Sequence, residues 1–90
     1  MKLFSVLDVK ANLFLKPISE STTAHAIRSF DAAVNGNDSV FSRYPDDFAL
    51  CELGTFDEFT GLLTPLPAYV NLGSARSVLR EAPVIPAVRQ

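Results

Sequence analysis

One run of this chain carries apolar residues at helical spacing for about three to four turns. Ala24, Ile27, Phe30 and Val34 recur at intervals of three and four, with Arg28 and Asp31 between them. That pattern predicts one amphipathic helix over 24–34, with Ile27 among its core positions. Ser19, Glu20, Ser21, Thr22 and Thr23 precede it, and a hydroxyl there can accept from the free amides of a first turn. Asn35 and Gly36 follow as a left-handed stop. The apolar residues outside this helix must find their partners in strands, so the fold class expected is α+β, with the helix packed on a sheet.

The strands read as two β-hairpins. Residues 3–7 and 12–16 are rich in branched and aromatic side chains and flank Asp8-Val9-Lys10-Ala11, a turn. Both runs are apolar at nearly every position, as strands are when covered on both faces or facing a partner chain. Pro17 ends the second run, since it lacks an amide donor. Residues 37–47 read as a loop tied down by Val40, Phe41 and Tyr44. Residues 48–53 are the best single strand candidate, and 56–63 turn back through Asp57 to Gly61, where Gly61 can take a positive φ. An antiparallel sheet of about four strands results. Phe4, Phe14, Phe30 and Phe48 occupy periodic positions and are read as core.

After Thr64-Pro65-Leu66-Pro67 the character changes. Residues 75–81 can form a short helix, which would bring Arg76 and Arg80 together at i, i+4. The last residues hold Pro83 and Pro86 and should be extended. The organisation expected is a ββαββ core over 1–72 and a short C-terminal helix with a Pro-containing tail over 73–90. Ninety residues suffice for one small domain and not for two.

Charge excludes a protein that coats polyanions by sheer positive charge, because eight basic residues face ten acidic ones for a net −2. The charge is also uneven. Asp46, Asp47, Glu52, Asp57 and Glu58 fall in 46–69 without a single base, whereas 70–90 hold Arg76, Arg80 and Arg89 against Glu81. Acidic hairpin and basic tail could therefore pair, within one molecule or between two. Cys51 stands alone and cannot close an internal disulfide, which points to a reducing compartment. No apolar run approaches the ~20 residues of a membrane span.

Tests for chemistry find little. His25 and Cys51 are the only candidates for base and nucleophile, and neither lies in a recognisable motif. Asp46 and Asp47 are adjacent at a strand entrance and would point to opposite faces, so they read as turn or capping residues rather than a catalytic pair. Gly36, Gly54, Gly61 and Gly73 are too far apart for a phosphate loop. No catalytic residues, metal ligands or cofactor are expected, and the chain reads as non-enzymatic.

The order of elements resembles the small nonstructural protein of gokushovirus-type microviruses, the tiny single-stranded DNA phages. The residues that carry it are Phe4-Ser5-Val6-Leu7-Asp8-Val9-Lys10-Ala11, Pro17, Ala26-Ile27-Arg28-Ser29-Phe30, Pro45-Asp46-Asp47-Phe48-Ala49-Leu50, Leu53-Gly54-Thr55-Phe56-Asp57 and Thr60-Gly61. The likeness spans roughly 1–80. It departs at Cys51, where a larger apolar residue is expected, and the tail after Leu79 has no counterpart. The resemblance implies a protein made in the host bacterial cytoplasm, outside the major capsid components, and engaged in genome replication or packaging. It supplies no catalytic residues.

Two functions are compatible with these readings. In the first, the chain associates with single-stranded DNA, with Lys10, Lys16, Arg28, Arg43, Arg76 and Arg80 meeting phosphates and Tyr44 or Tyr69 stacking on bases. In the second, it is an oligomeric adaptor that docks on a phage or host replication or capsid-assembly protein without touching DNA. The apolar first hairpin and tail argue for a homo-oligomer in either case.

Overall fold

The computed structural model describes residues 1–80. Its elements run β1 (Lys2–Asp8), β2 (Leu13–Phe14), β3 (Ile18–Glu20), α1 (Thr23–Val34), α2 (Val40–Arg43), β4 (Phe48–Phe56) and β5 (Leu63–Ser74), closed by a 3₁₀ turn at Ala75–Ser77. The sheet is antiparallel in the order β2-β1-β4-β5, with β3 pairing β1 beside β2. The architecture is the expected α+β one, with five strands. The additional strand is β3, which follows Pro17 and lies against Lys2, Leu3 and Phe4.

Each turn has a local cause. At the β1–β2 connection the Asp8 carboxylate accepts from the Ala11 amide at 3.0 Å, and Asn12 takes φ 59°, a left-handed conformation that asparagine tolerates well. At the β4–β5 connection Asp57 Oδ1 accepts from the amides of Phe59 and Thr60, and Gly61 adopts φ 78° as its place in the sequence predicts. α1 is capped by Thr22, whose side chain accepts from the His25 amide at 3.1 Å. Its end differs from the left-handed stop expected. Asn35 has φ −94°, and its amide group donates to the carbonyls of Asp31 and Val78 while its oxygen accepts from the Arg80 amide at 2.8 Å. One side chain thus ends the helix and fastens the C-terminal segment to it.

The core lies between α1 and one face of the sheet. Phe4 and Leu50 rise from the strands to meet Ala26, Phe30 and Val34 of the helix, and Phe48 and Ala75 close the end. Phe41 of α2 lies between Phe30 and Phe48, at ring-centroid separations of 5.9 and 4.9 Å. The loop expected over 37–47 therefore contains one helical turn, held by that aromatic contact.

Ile27 is a correction. It stands 38% exposed, and Ala24 is exposed too. The buried stripe is Ala26, Phe30 and Val34, at i, i+4 and i+8. Ala26 is small enough to bring the helix axis close to the sheet, which turns Ile27 a further 100° or so around the axis toward its flank. The short helix expected over 75–81 is also corrected. Only the 3₁₀ turn forms before Arg80, and residue 81, like the extended tail, falls outside the described residues.

Candidate functional site

The face of the sheet opposite α1 carries no helix among the described residues. The alternation of β1 and β4 places Ser5, Leu7, Ala49 and Cys51 there, with Ser5 opposite Cys51 and Leu7 opposite Ala49. Ser5, Ala49 and Cys51 are nonetheless buried. Their cover is aromatic. Phe14 comes from β2 at one edge and Tyr69 from β5 at the other, and their rings meet edge to face at 5.3 Å over the two central strands. Phe14 is 40% and Tyr69 49% exposed, so the roof over the small residues is also a solvent-facing aromatic surface. Phe14, read as core from the sequence, belongs to this surface. The pairing of Leu7 with Phe14 puts it on the face away from the helix, a register that no local pattern reveals.

Tyr69 adjoins Val70, whose pairing with Glu52 on the helix side sets Tyr69 on the open face. Val70 opposes Glu52 and Pro65 opposes Gly54, so residues 66–69 bulge out opposite the single Leu53. Prolines at 65 and 67 suit this edge position, where a missing amide donor costs no ladder bond. Ser5 is satisfied under the roof by donating to the Leu15 carbonyl at 2.7 Å. Burial pushes the Cys51 thiol up from its ordinary value, which makes it a poor nucleophile at neutral pH and fits the small buried hydrophobe read from the sequence.

The basic candidates divide into two groups. Arg76 forms a two-pronged pair with Asp46, at 2.7 and 3.0 Å, and its amide donates to the Pro45 carbonyl. Arg80 pairs with Asp31 at 2.8 Å, and Arg43 lies 3.8 Å from Asp38. Arg76 and Arg80 consequently diverge to a loop and to α1 instead of sharing one helix face. Lys10, Lys16 and Arg28 make no ion pair with another described residue. Lys10 lies in the β1–β2 turn, and Lys16 lies between Phe14, on the face away from the helix, and Ile18, on the helix side, where one extra residue breaks the pleat. Arg28 stands on the exposed side of α1, away from the aromatic pair, and Tyr44 is exposed beside Arg43. The structure therefore brings Tyr69 to Phe14, leaves Lys10 and Lys16 in the segments that flank β2, and scatters the other candidates.

The Arg76 guanidinium holds the Asp46 carboxyl below its ordinary value. A lowered carboxylate stabilises the fold above its ordinary pKa and loses that contribution as pH falls through the depressed one. The tie between the 3₁₀ turn and the loop before β4 should therefore persist in mild acid and release only below the usual carboxylate range. Carboxyl titration followed by NMR should show Asp46 moving back toward its ordinary value in Arg76→Gln. An unchanged Asp46 titration would mean the pair does not form.

His25 Nδ1 lies 2.9 Å from Ser21 Oγ on the surface. Among the described residues no three His, Cys, Asp or Glu side chains are grouped to hold a metal ion, and no helix is long and apolar enough to cross a membrane. No curated protein and no solved structure matches the chain. The model of the phage ORF5 protein family matches residues 1–78. The match takes in the aromatic face, the helix and both hairpins, and the chain belongs to the phage ORF5 protein family.

Proposed function

We propose that this phage protein is a non-enzymatic nonstructural protein of genome replication or packaging, acting in the host cytoplasm, that associates with single-stranded DNA through the open face of its sheet. The observation that carries the reading is the exposed Phe14–Tyr69 pair on the face away from the helix, with Lys10 and Lys16 in the segments on either side of β2. Aromatic rings on a sheet accept bases of any sequence by stacking, and flanking cations hold the backbone. The acidic turn at Asp57 and Glu58 lies at the far end of the second hairpin, where it does not oppose phosphate on this face. The gokushovirus-type reading rests on the order and spacing together of the stretches 4–11, Pro17, 26–30, 45–50, 53–57 and 60–61.

Titration of a fluorescein-labelled oligothymidine across a salt series tests the reading. Replacing Phe14 or Tyr69 by alanine should weaken binding roughly 5- to 150-fold, the range for removing one stacked base, with little change in salt slope. Replacing Lys10 and Lys16 by glutamine should lower the slope by about 1.4, since each single-strand phosphate left without its lysine accounts for about 0.7. Replacing Arg80 should change neither, because its charge is already met by Asp31. Absence of binding by the unaltered protein at low salt would overturn the proposal. The adaptor reading would then stand, favoured by the apolar tip of the second hairpin, where Phe59, Leu62 and Leu63 are exposed.

A further inference from the structure

Of the four asparagines, Asn12, Asn35, Asn37 and Asn71, only Asn35 precedes a glycine. Gly36 sets no Cβ in the way of an attack by its own backbone nitrogen. In such a pair that nitrogen can close on the asparagine Cγ, form a five-membered succinimide and expel the side-chain nitrogen as ammonia. Water then adds to either ring carbonyl and leaves aspartate or isoaspartate. A neutral amide is exchanged for a carboxylate, and nothing is oxidised or reduced.

The fold holds that reaction back. Asn35 Nδ2 shares its hydrogens among the Asp31 carbonyl at 2.9 Å, Asp31 Oδ1 at 3.0 Å and the Val78 carbonyl at 3.0 Å, while Asn35 Oδ1 accepts from the Arg80 amide at 2.8 Å. The amide group has to leave all of these partners before Cγ can turn onto the Gly36 nitrogen. The same contacts make a carboxylate costly at this position. It would face Asp31 Oδ1 and two carbonyl oxygens with nothing to donate, and it would stand at a helix C-terminus, where negative charge is unfavourable. The Arg80 guanidinium, already 2.8 Å from Asp31, would have two carboxylates to serve. What the clasp secures is the end of the C-terminal segment, where Val78 and Leu79 pack against the core. The Arg76–Asp46 pair fastens only its beginning.

We propose that Asn35 is a deamidation site gated by its own clasp. The bonds to Val78 and Arg80 protect it while the C-terminal segment is docked, and its conversion, once the segment has opened, keeps 78–80 from docking again. The device runs one way, because nothing in it restores the amide. It lies on the helix side of the sheet, away from the Phe14–Tyr69 face, and stands or falls independently of DNA binding.

Ageing of the full chain in mildly alkaline buffer, followed by tryptic peptide mapping, tests this. Cleavage after Arg28 and Arg43 isolates residues 29–43, in which fragmentation separates a deamidated Asn35 from Asn37. The folded chain should convert at least about 10-fold more slowly than the same chain in concentrated urea, since only its opened fraction reacts. Leu79→Ser weakens the docking without touching Asn35 and should speed conversion roughly 5-fold or more, toward the rate in urea. Far-UV circular dichroism should show this variant folded, because Leu79 is only partly buried and lies at the end of the described residues. Asn35→Asp reproduces the product directly. Its Leu79 and Arg80 amides should exchange at least about 10-fold faster, with those of β1 and β4 unchanged. Conversion of Asn35 as fast in the folded chain as in urea would overturn the proposal. So would an unchanged rate in Leu79→Ser, or an Asn35→Asp variant whose Arg80 amide stays as protected as before.

Discussion

Phe30→Ala is expected to cost about 3–5 kcal/mol, the range for deleting a buried phenylalanine, because the void forms where α1, α2 and the sheet meet. At about 0.05–0.15 kcal/mol per residue the whole domain holds roughly 5–13 kcal/mol, so the variant should lie near the edge of folding. Urea unfolding would register the change as a midpoint lowered by several molar, at a slope of about 1 kcal/mol per molar. Ile27→Asp, three residues earlier, is expected to cost only about 1 kcal/mol, as partly exposed substitutions do. Equal destabilisation at the two positions would mean that α1 is rotated from the orientation described.

This contrast shows how far the sequence could be read. The extent of α1 was legible because a hydroxyl-rich cap precedes a regular apolar spacing. Its buried face was not, because the stripes 26-30-34 and 27-30-34 share two members, and hydrophobicity alone prefers isoleucine to alanine at the third. The choice fell to distance. A helix lying close over β1 and β4 takes the smaller side chain at its nearest point, and that demand comes from strands far away in sequence.

The site was partly legible for the same reason. Tyr69, Lys10 and Lys16 were identifiable as an aromatic and two cations outside the main apolar periodicities. Phe14 was not, because its face depends on the register of β2 against β1. The pairings of Arg76 with Asp46 and of Arg80 with Asp31 span 30 and 49 positions, and no local pattern signals them. β3 was hidden because Ile18, Ser19 and Glu20 look like the approach to a helix cap, whereas their strand geometry is imposed by β1.

Gly54→Ala is expected to damage the second hairpin out of proportion to one methyl group. A Cβ at position 54 would collide with the Thr64 carbonyl oxygen and lie 2.8 Å from Pro65 Cα. Both are backbone atoms, so no side chain can swing aside, and β5 itself must move away from β4. The approach is close because β5 returns from its 66–69 bulge at this point and resumes pairing through Gly54 with Pro65, Thr55 with Thr64 and Phe56 with Leu63. Forced separation here should cost about 3 kcal/mol, the upper range for overpacking. Its first casualties should be the two pairs that lead to the tip, leaving the helix and the β1–β4 pairing in place. Amide exchange should therefore accelerate at Asp57, whose amide donates to Leu62, and at 61–64 well before it does in α1, and the midpoint in urea should fall. A variant with unaltered stability and exchange would show that the strands do not approach as closely as described.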